Sequence, residues 1–474
     1  MRPLNDDLLL QILKELEYER KTLHSCLLVN RTLCVMAVPI LWRNLKPNSL
    51  TANSYDMLFN MIISHLSEES RDVLKNLITF TTYQRLLFNY ISFLKYFNFY
   101  LLERGISSKM IKGSNIAIIR NELLKLFINK DTKLTHISID DYDYQLHLMP
   151  GAECCLSKLK SFNCVTDISQ NILEGLARIC KSIKKISLHV NVGHSVIYNN
   201  GIFKLIEIQN NLNDFSLVNC SGLKNVLFNK SLEASLIKHA NTMQYLVISW
   251  NPTMRFLSRF VNLLSLQMRN YRYRGSENLE NLNLSFPLLK VLQITGEYPF
   301  NIIINIIENT TGNLSEINIV YNGDNNKKLI QSIYQKCPNL RYLQLLLSND
   351  SSSFISEFEN LLVNCQSLKG LSISMNDDFN AFSWDKFFII LAESAPASLF
   401  KFKFRPNKSE DLELFFDNWK NRNPMLLKID NKDYYSNVNV KEQFDNLCEK
   451  YKLKGIIEEY SICYYTIEPI EYWF

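Results

Sequence analysis

The sequence predicts an α/β chain in which short parallel strands line one side and helices the other. Three observations carry this. An apolar rhythm, L-x-x-L-x-L, recurs along most of the chain, helical spacing of apolar residues fills the stretches between copies, and the copies lie about twenty to a little over thirty residues apart. Residues 339–347 (NLRYLQLLL) hold the clearest copy, in Leu340, Leu343 and Leu345. Strand side chains alternate, so Leu343 and Leu345 share one face and Tyr342 and Gln344 take the other. Upstream, residues 328–336 place Leu329, Ile333 and Tyr334 at helical spacing, and Cys337-Pro338 ends that helix because proline cannot continue it. One such unit cannot bury its own apolar face, whereas a stack of them can.

A chain of 474 residues is long enough for a large core and more than one domain. Its 47% hydrophobic and 21% charged residues suit a folded protein, and its net charge of +5 is small and spread out, which argues against a nucleic-acid partner. Eleven cysteines at irregular spacing do not form a disulfide framework. The start, Met1-Arg2-Pro3, runs into a charged amphipathic pattern and not a signal peptide, so the expected location is the cytoplasm or nucleus.

Residues 1–47 predict a small helical head. Leu8, Leu9, Ile12, Leu13 and Leu16 form one apolar stripe, with Asn5 as N-cap and Asp6 and Asp7 in the first turn. A second helix starts near Thr22 and uses Leu23, Cys26 and Leu27, and a third runs from about Thr32 to Val38, ends at Pro39, and is followed by Trp42. So small a core is thin and needs a partner or the next domain.

Three segments of this head in order, LNDDLLLQILKEL, CLLVNRTLC and AVPILWRNL, resemble the F-box. The family's Leu-Pro-x-Glu-Leu-Leu opening reads Leu4-Asn5-Asp6-Asp7-Leu8-Leu9 here, its Val-Cys-Arg reads Val29-Asn30-Arg31, and its hydrophobic-Trp ending is kept as Ile40-Leu41-Trp42. The resemblance covers about a tenth of the chain, and Asn5 replaces the family's proline. It implies docking on a Skp-type adaptor and, through it, on a cullin, with Leu4, Asn5, Leu8, Leu9, Ile12, Leu16 and Trp42 as adaptor-binding residues. The alternative for the apolar members is packing on the following domain.

Residues 48–131 predict a helical connector. The aromatic run at 86–102 contains Asn89, Lys95 and Asn98 and is bracketed by Arg85 and Arg104, which fits buried helices better than a membrane span. Leu123, Leu124, Phe127 and Ile128 suggest a further helix.

Residues 132–430 predict the repeat array. Its strand signals begin at Leu134, Leu159, Ile183, Leu212, Met243, Leu263, Leu289, Leu314, Leu340, Leu368 and Leu399, and residues 354–364 and 386–395 carry helical spacing. The array resembles the irregular leucine-rich repeats that often follow F-boxes, especially in large fungal families. Such a solenoid lines its inner curve with the sheet. Ser187, His189, Tyr245, Gln267, Arg269, Gln293, Asn318, Tyr342 and Gln344 would face that side. Lys401, Lys403 and Arg405 would project together from one strand, either as a solvated edge or as a positive site for an acidic or phosphorylated target segment. Tyr271-Arg272-Tyr273-Arg274 reads as a loop.

Residues 431–474 predict an atypical end cap, with Leu447, Tyr451, Ile456, Ile457, Tyr464, Tyr465 and Trp473 covering the last apolar face. No cofactor, metal or catalytic set is expected. The thirteen glycines never cluster as a phosphate cradle, Cys154-Cys155 is not C-x-x-C, and His189 and His194 lack further ligands. The expected function is that of a substrate-recognition subunit of a Skp–cullin–F-box ubiquitin ligase with an unidentified protein target. The rival is a leucine-rich-repeat scaffold outside any ligase.

Overall fold

A computed structural model describes residues 5–45, 51–78, 86–108, 115–140, 144–190, 198–218, 225–270, 284–296, 298–320, 326–347, 351–375, 383–406, 409–420, 422–430 and 438–463. The fold is α/β, and every strand pairing given below is parallel. Contacts divide the chain into two compact units, Met1–Phe215 with Asn225–His239, and Ser216–Lys224 with Ala240–Phe474.

The first unit opens with α1 (Asp6–Glu15), α2 (Arg20–Cys26) and α3 (Arg31–Arg43). Asn5 and Asn30 cap α1 and α3, their side chains accepting from Asp7 N at 3.2 Å and Leu33 N at 2.9 Å. Leu13, Leu23, Ala37, Ile40 and Leu41 close a common core. Then come α4 (Ala52–Ile63), α5 (Glu68–Leu74), a short 3₁₀ turn at Tyr90–Phe93, β1 (Tyr96–Asn98), α6 (Tyr100–Ser108) and α7 (Asn115–Phe127). The array continues through β2 (His136–Ile139), α8 (Ala152–Leu156), β3 (Ser161–Val165), α9 (Gln170–Ile179), β4 (Lys185–His189), α10 (Asn200–Glu207), β5 (Asp214–Val218) and α11 (Val226–Ile237). β1 to β4 pair in chain order, and Phe97, Ile137, Phe162 and Ile186 fall in one buried row.

The second unit runs through β6 (Tyr245–Ile248), α12 (Met254–Leu257), β7 (Ser265–Asn270), β8 (Val291–Gly296), α13 (Phe300–Glu308), β9 (Glu316–Val320), α14 (Asn326–Lys336) and β10 (Tyr342–Leu347). It ends with α15 (Ser351–Asn364), β11 (Gly370–Met375), α16 (Trp384–Ser394), β12 (Lys401–Phe404), α17 (Ser409–Asn418), β13 (Met425–Asp430), α18 (Val438–Leu453) and β14 (Ile457–Cys463). Here too neighbours in sequence are neighbours in the sheet.

The repeat has a backbone basis. The two residues after each leading apolar residue both donate to one carbonyl of the preceding unit. Lys160 and Ser161 donate to Thr135 O, Lys290 and Val291 to Leu264 O, and Arg341 and Tyr342 to Ser315 O. This shared bond turns the chain into its strand two residues past the leading leucine. Leu134, Leu159, Leu263, Leu289, Leu314, Leu340 and Leu368 are accordingly fully buried. Just before that leucine, a compact side chain often satisfies the unit upstream. Cys180 Sγ meets Leu156 O at 3.4 Å, Cys365 Sγ meets Cys337 O at 3.8 Å, and Gln209 Nε2 donates to Cys180 O at 2.9 Å. Buried cysteines here are small core residues with a weak donor, and each described one is a free thiol.

Three expectations change. The sheet starts inside the expected connector, because within the run expected to form buried helices Tyr96–Asn98 is a strand paired with β2 and residues 90–93 form a 3₁₀ turn. α3 does not stop at Pro39 but runs to Arg43. The proline removes one backbone donor, yet its φ suits a helix, and burial of Ile40 and Leu41 beyond it holds the last turn in place. The expected cap is a further unit of the same kind, with α18 followed by β14 in parallel with β13. The N-terminal helices are tied to the sheet edge. Arg20 Nη1 donates to Asn44 O at 2.8 Å, Lys95 N donates to Arg43 O at 2.9 Å, and Asn44 bridges to Tyr96.

Candidate functional site

Two surfaces correspond to the two expected sets of binding residues. On α1 the stripe splits. Leu13 is 2% exposed and seals the three-helix core, while Leu8 and Ile12, one turn apart, are 51% and 52% exposed. Leu28 and Val29 after α2 and Val35 on α3 are exposed as well, and sequence periodicity did not single them out. Leu16 packs against the core and Leu9 is half-buried. Trp42 is half-buried: it packs on the head core, and its ring lies 4.5 Å from that of Tyr90. It therefore joins α3 to the 3₁₀ turn. Asn5 is exposed and serves as the cap, and Leu4 lies outside the described residues.

The second set lies on the polar face of the second unit's sheet. Gln293, Asn318, Gln344, Ser372, Lys403 and Lys428 stand in register across β8 to β13. The expectation that Gln344 and Lys403 are open to a partner is overturned. Gln344 is 3% exposed and Lys403 is 0% exposed, with its Nζ 3.2 Å from Asp430 Oδ2. Burial pushes the Asp430 carboxyl up, and the Lys403 ammonium opposes that shift. The three cations thus do not form one open cluster. Lys401 is half-buried on the strand, Lys403 is neutralised beneath, and Arg405 lies just past the end of β12.

Tyr342 is half-buried for a specific reason. Its ring lies across Gly370 on the next strand, where an added Cβ would sit 2.8 Å from Tyr342 Cδ1. The side-chain oxygens of Asn318, Gln344 and Ser372 are buried without a hydrogen-bond partner. Ser187 and His189 are half-buried, and Tyr245 is exposed. Arg269 Nη2 donates to Gln267 Oε1 at 2.9 Å.

Among the described residues no group of three His, Cys, Asp or Glu side chains could hold a metal, and no helix is long and apolar enough to cross a membrane. The Cys154 thiol is exposed beside buried Cys155. Tyr271–Arg274, His194, Tyr464, Tyr465 and Trp473 lie outside the described residues. No family model and no curated protein matches this chain.

Proposed function

We propose that this chain is the substrate receptor of a Skp–cullin–F-box ubiquitin ligase. The observation that carries this reading is the pair Leu8 and Ile12, left open one turn apart on a helix whose opposite side is sealed by Leu13. An isolated head has no internal use for them, and exposed apolar residues grouped on one helix mark a docking surface. The order of the three F-box-like segments supports the same reading, and Asn30 in the middle segment caps α3.

The work of such a chain is positioning. α1 to α3 attach to a Skp-type adaptor and through it to a cullin, in the cytoplasm or nucleus. The leucine-rich strand–helix array holds a protein target near the ubiquitin-loading enzyme, which raises effective concentration with no catalytic residue in this chain. Tyr342 and Lys401 remain the target-facing candidates on β10 and β12.

A second reading, a leucine-rich-repeat scaffold outside any ligase, is favoured by Asn5, which stands where the family has proline. Affinity purification of the tagged chain with mass spectrometry separates the two. Adaptor and cullin peptides that vanish with Leu8→Asp support the ligase reading. Stable capture of other proteins without either component supports the scaffold.

A further inference from the structure

At the start of the first unit's sheet, β1, β2 and β3 floor a cavity of about 230 Å³ lined by Tyr96, Asn98, His136, Ser138, Ser161 and Asn163, among others. The Tyr96 and His136 rings stack face to face with centroids 3.8 Å apart. Thr135 Oγ1 lies 2.8 Å from His136 Nδ1 and 3.2 Å from Lys95 O, which already accepts from the backbone N–H groups of Thr135 and His136. That contact occupies Nδ1 and leaves His136 Nε2 as the ring's open nitrogen, an acceptor or a donor according to the tautomer. Burial, with Lys160 and Lys185 nearby, holds the imidazole pKa down.

Across the floor, Asn163 Nδ2 donates to Ser138 Oγ at 3.2 Å, while Asn163 Oδ1 is buried with no partner. Turning the amide over would satisfy the oxygen with Ser138 and leave the nitrogen unpaired instead. In either orientation one polar atom of Asn163 is left for an occupant, and a buried unpaired group costs about 1–3 kcal/mol. Asn98 Oδ1 already accepts from Tyr100 N.

We propose that this cavity binds a carboxamide, the side chain of an asparagine or glutamine in a protein target. A carboxamide carries both N–H donors and a carbonyl, so it can pair with His136 Nε2 in either tautomer, with Asn163 Oδ1 through an N–H, and with the Ser138 or Ser161 hydroxyl. Its plane also suits the stacked rings. An ammonium or guanidinium would supply donors but meets Lys160 and Lys185, and a carboxylate brings no donor, so it leaves Asn163 Oδ1 unpaired in the orientation the structure shows. The proposal rests on the reading that the sheet face grips a target, and it places that grip on β1 to β3.

The test uses the full chain with 13C-labelled histidine and follows the His136 ring signal on addition of N-acetyl-asparagine N-methylamide. The aspartate and alanine analogues serve as controls. The expected result is a saturable shift with the asparagine probe by about 10 mM, at least tenfold weaker with either control, and at least tenfold weaker in both Asn163→Leu and Ser138→Ala. The His239 ring signal, unchanged in each variant, reports an intact first unit. Three results would each overturn the proposal: no saturable shift, equal response to the aspartate or alanine probe, or wild-type titration in both variants. No adaptor is present in this experiment, so its failure leaves the ligase reading standing, and the loss of adaptor capture is judged separately.

Discussion

Lys403 shows how far alternation along a strand can be trusted. The pattern correctly sets Lys403 opposite Phe402 and Phe404, but which face a side chain takes does not say whether that face is open. Here the ammonium is sealed against Asp430. A buried pair contributes little net stability, yet removing one partner strands the other charge. Lys403→Met should therefore destabilise the protein by about 3–5 kcal/mol in urea denaturation, and Lys403→Met with Asp430→Leu should recover most of that loss. A double variant no better than the single one would contradict this account. Gly370 is a second residue whose role was hidden in sequence. Gly370→Ala should cost about 1–3 kcal/mol by displacing the Tyr342 ring, and Tyr342→Ala in the same chain should relieve most of it.

At the scale of elements, the strands were legible where the leading leucine, the paired backbone donors and the alternating core residues coincide. Each copy of the rhythm from Leu134 to Leu399 became a strand starting two residues later. β1 was not legible, because Phe97 and Phe99 alternate inside a run of aromatics that also fits helical spacing. β14 was missed because the exposed Glu458 and Glu459 follow Ile457 where its register against Met425 and Leu426 shifts, so no L-x-x-L-x-L survives. The end of α3 was misjudged because a proline was given more weight than the buried Ile40 and Leu41 beyond it. Pro39→Ala restores a backbone donor in mid-helix, and it should raise the denaturation midpoint by up to the equivalent of about 3 kcal/mol. A lowered midpoint would show that the proline ring itself packs usefully. The candidate sites were half legible. Leu8 and Ile12 stood out by spacing, whereas the cavity beside His136 depends on Thr135 and Lys95, which only the register of β1 and β2 brings together.

For the molecule as a whole, burial has a consequence for pH. His65, His136, His147, His189 and His239 all have lowered pKa values, with desolvation the largest cause in each. His239 is the most enclosed, with Nε2 2.8 Å from Ile206 O. Folded values below about 6.5 mean that the unfolded chain takes up protons first as pH falls, so stability is full above that value and declines below it. Thermal melts from pH 7.5 to 5.5 should show a falling midpoint, with a shallower fall in His239→Gln. A midpoint that rises on acidification would contradict this picture.

The division between attachment and grip is tested most directly by binding of the purified full chain to a Skp-type adaptor, measured by calorimetry. The account predicts saturable binding of the wild-type chain, loss of at least a hundredfold in Leu8→Asp with Ile12→Asp, and no change in Lys401→Glu. An adaptor that ignores the wild-type chain, or that binds the doubly substituted chain equally well, would contradict it.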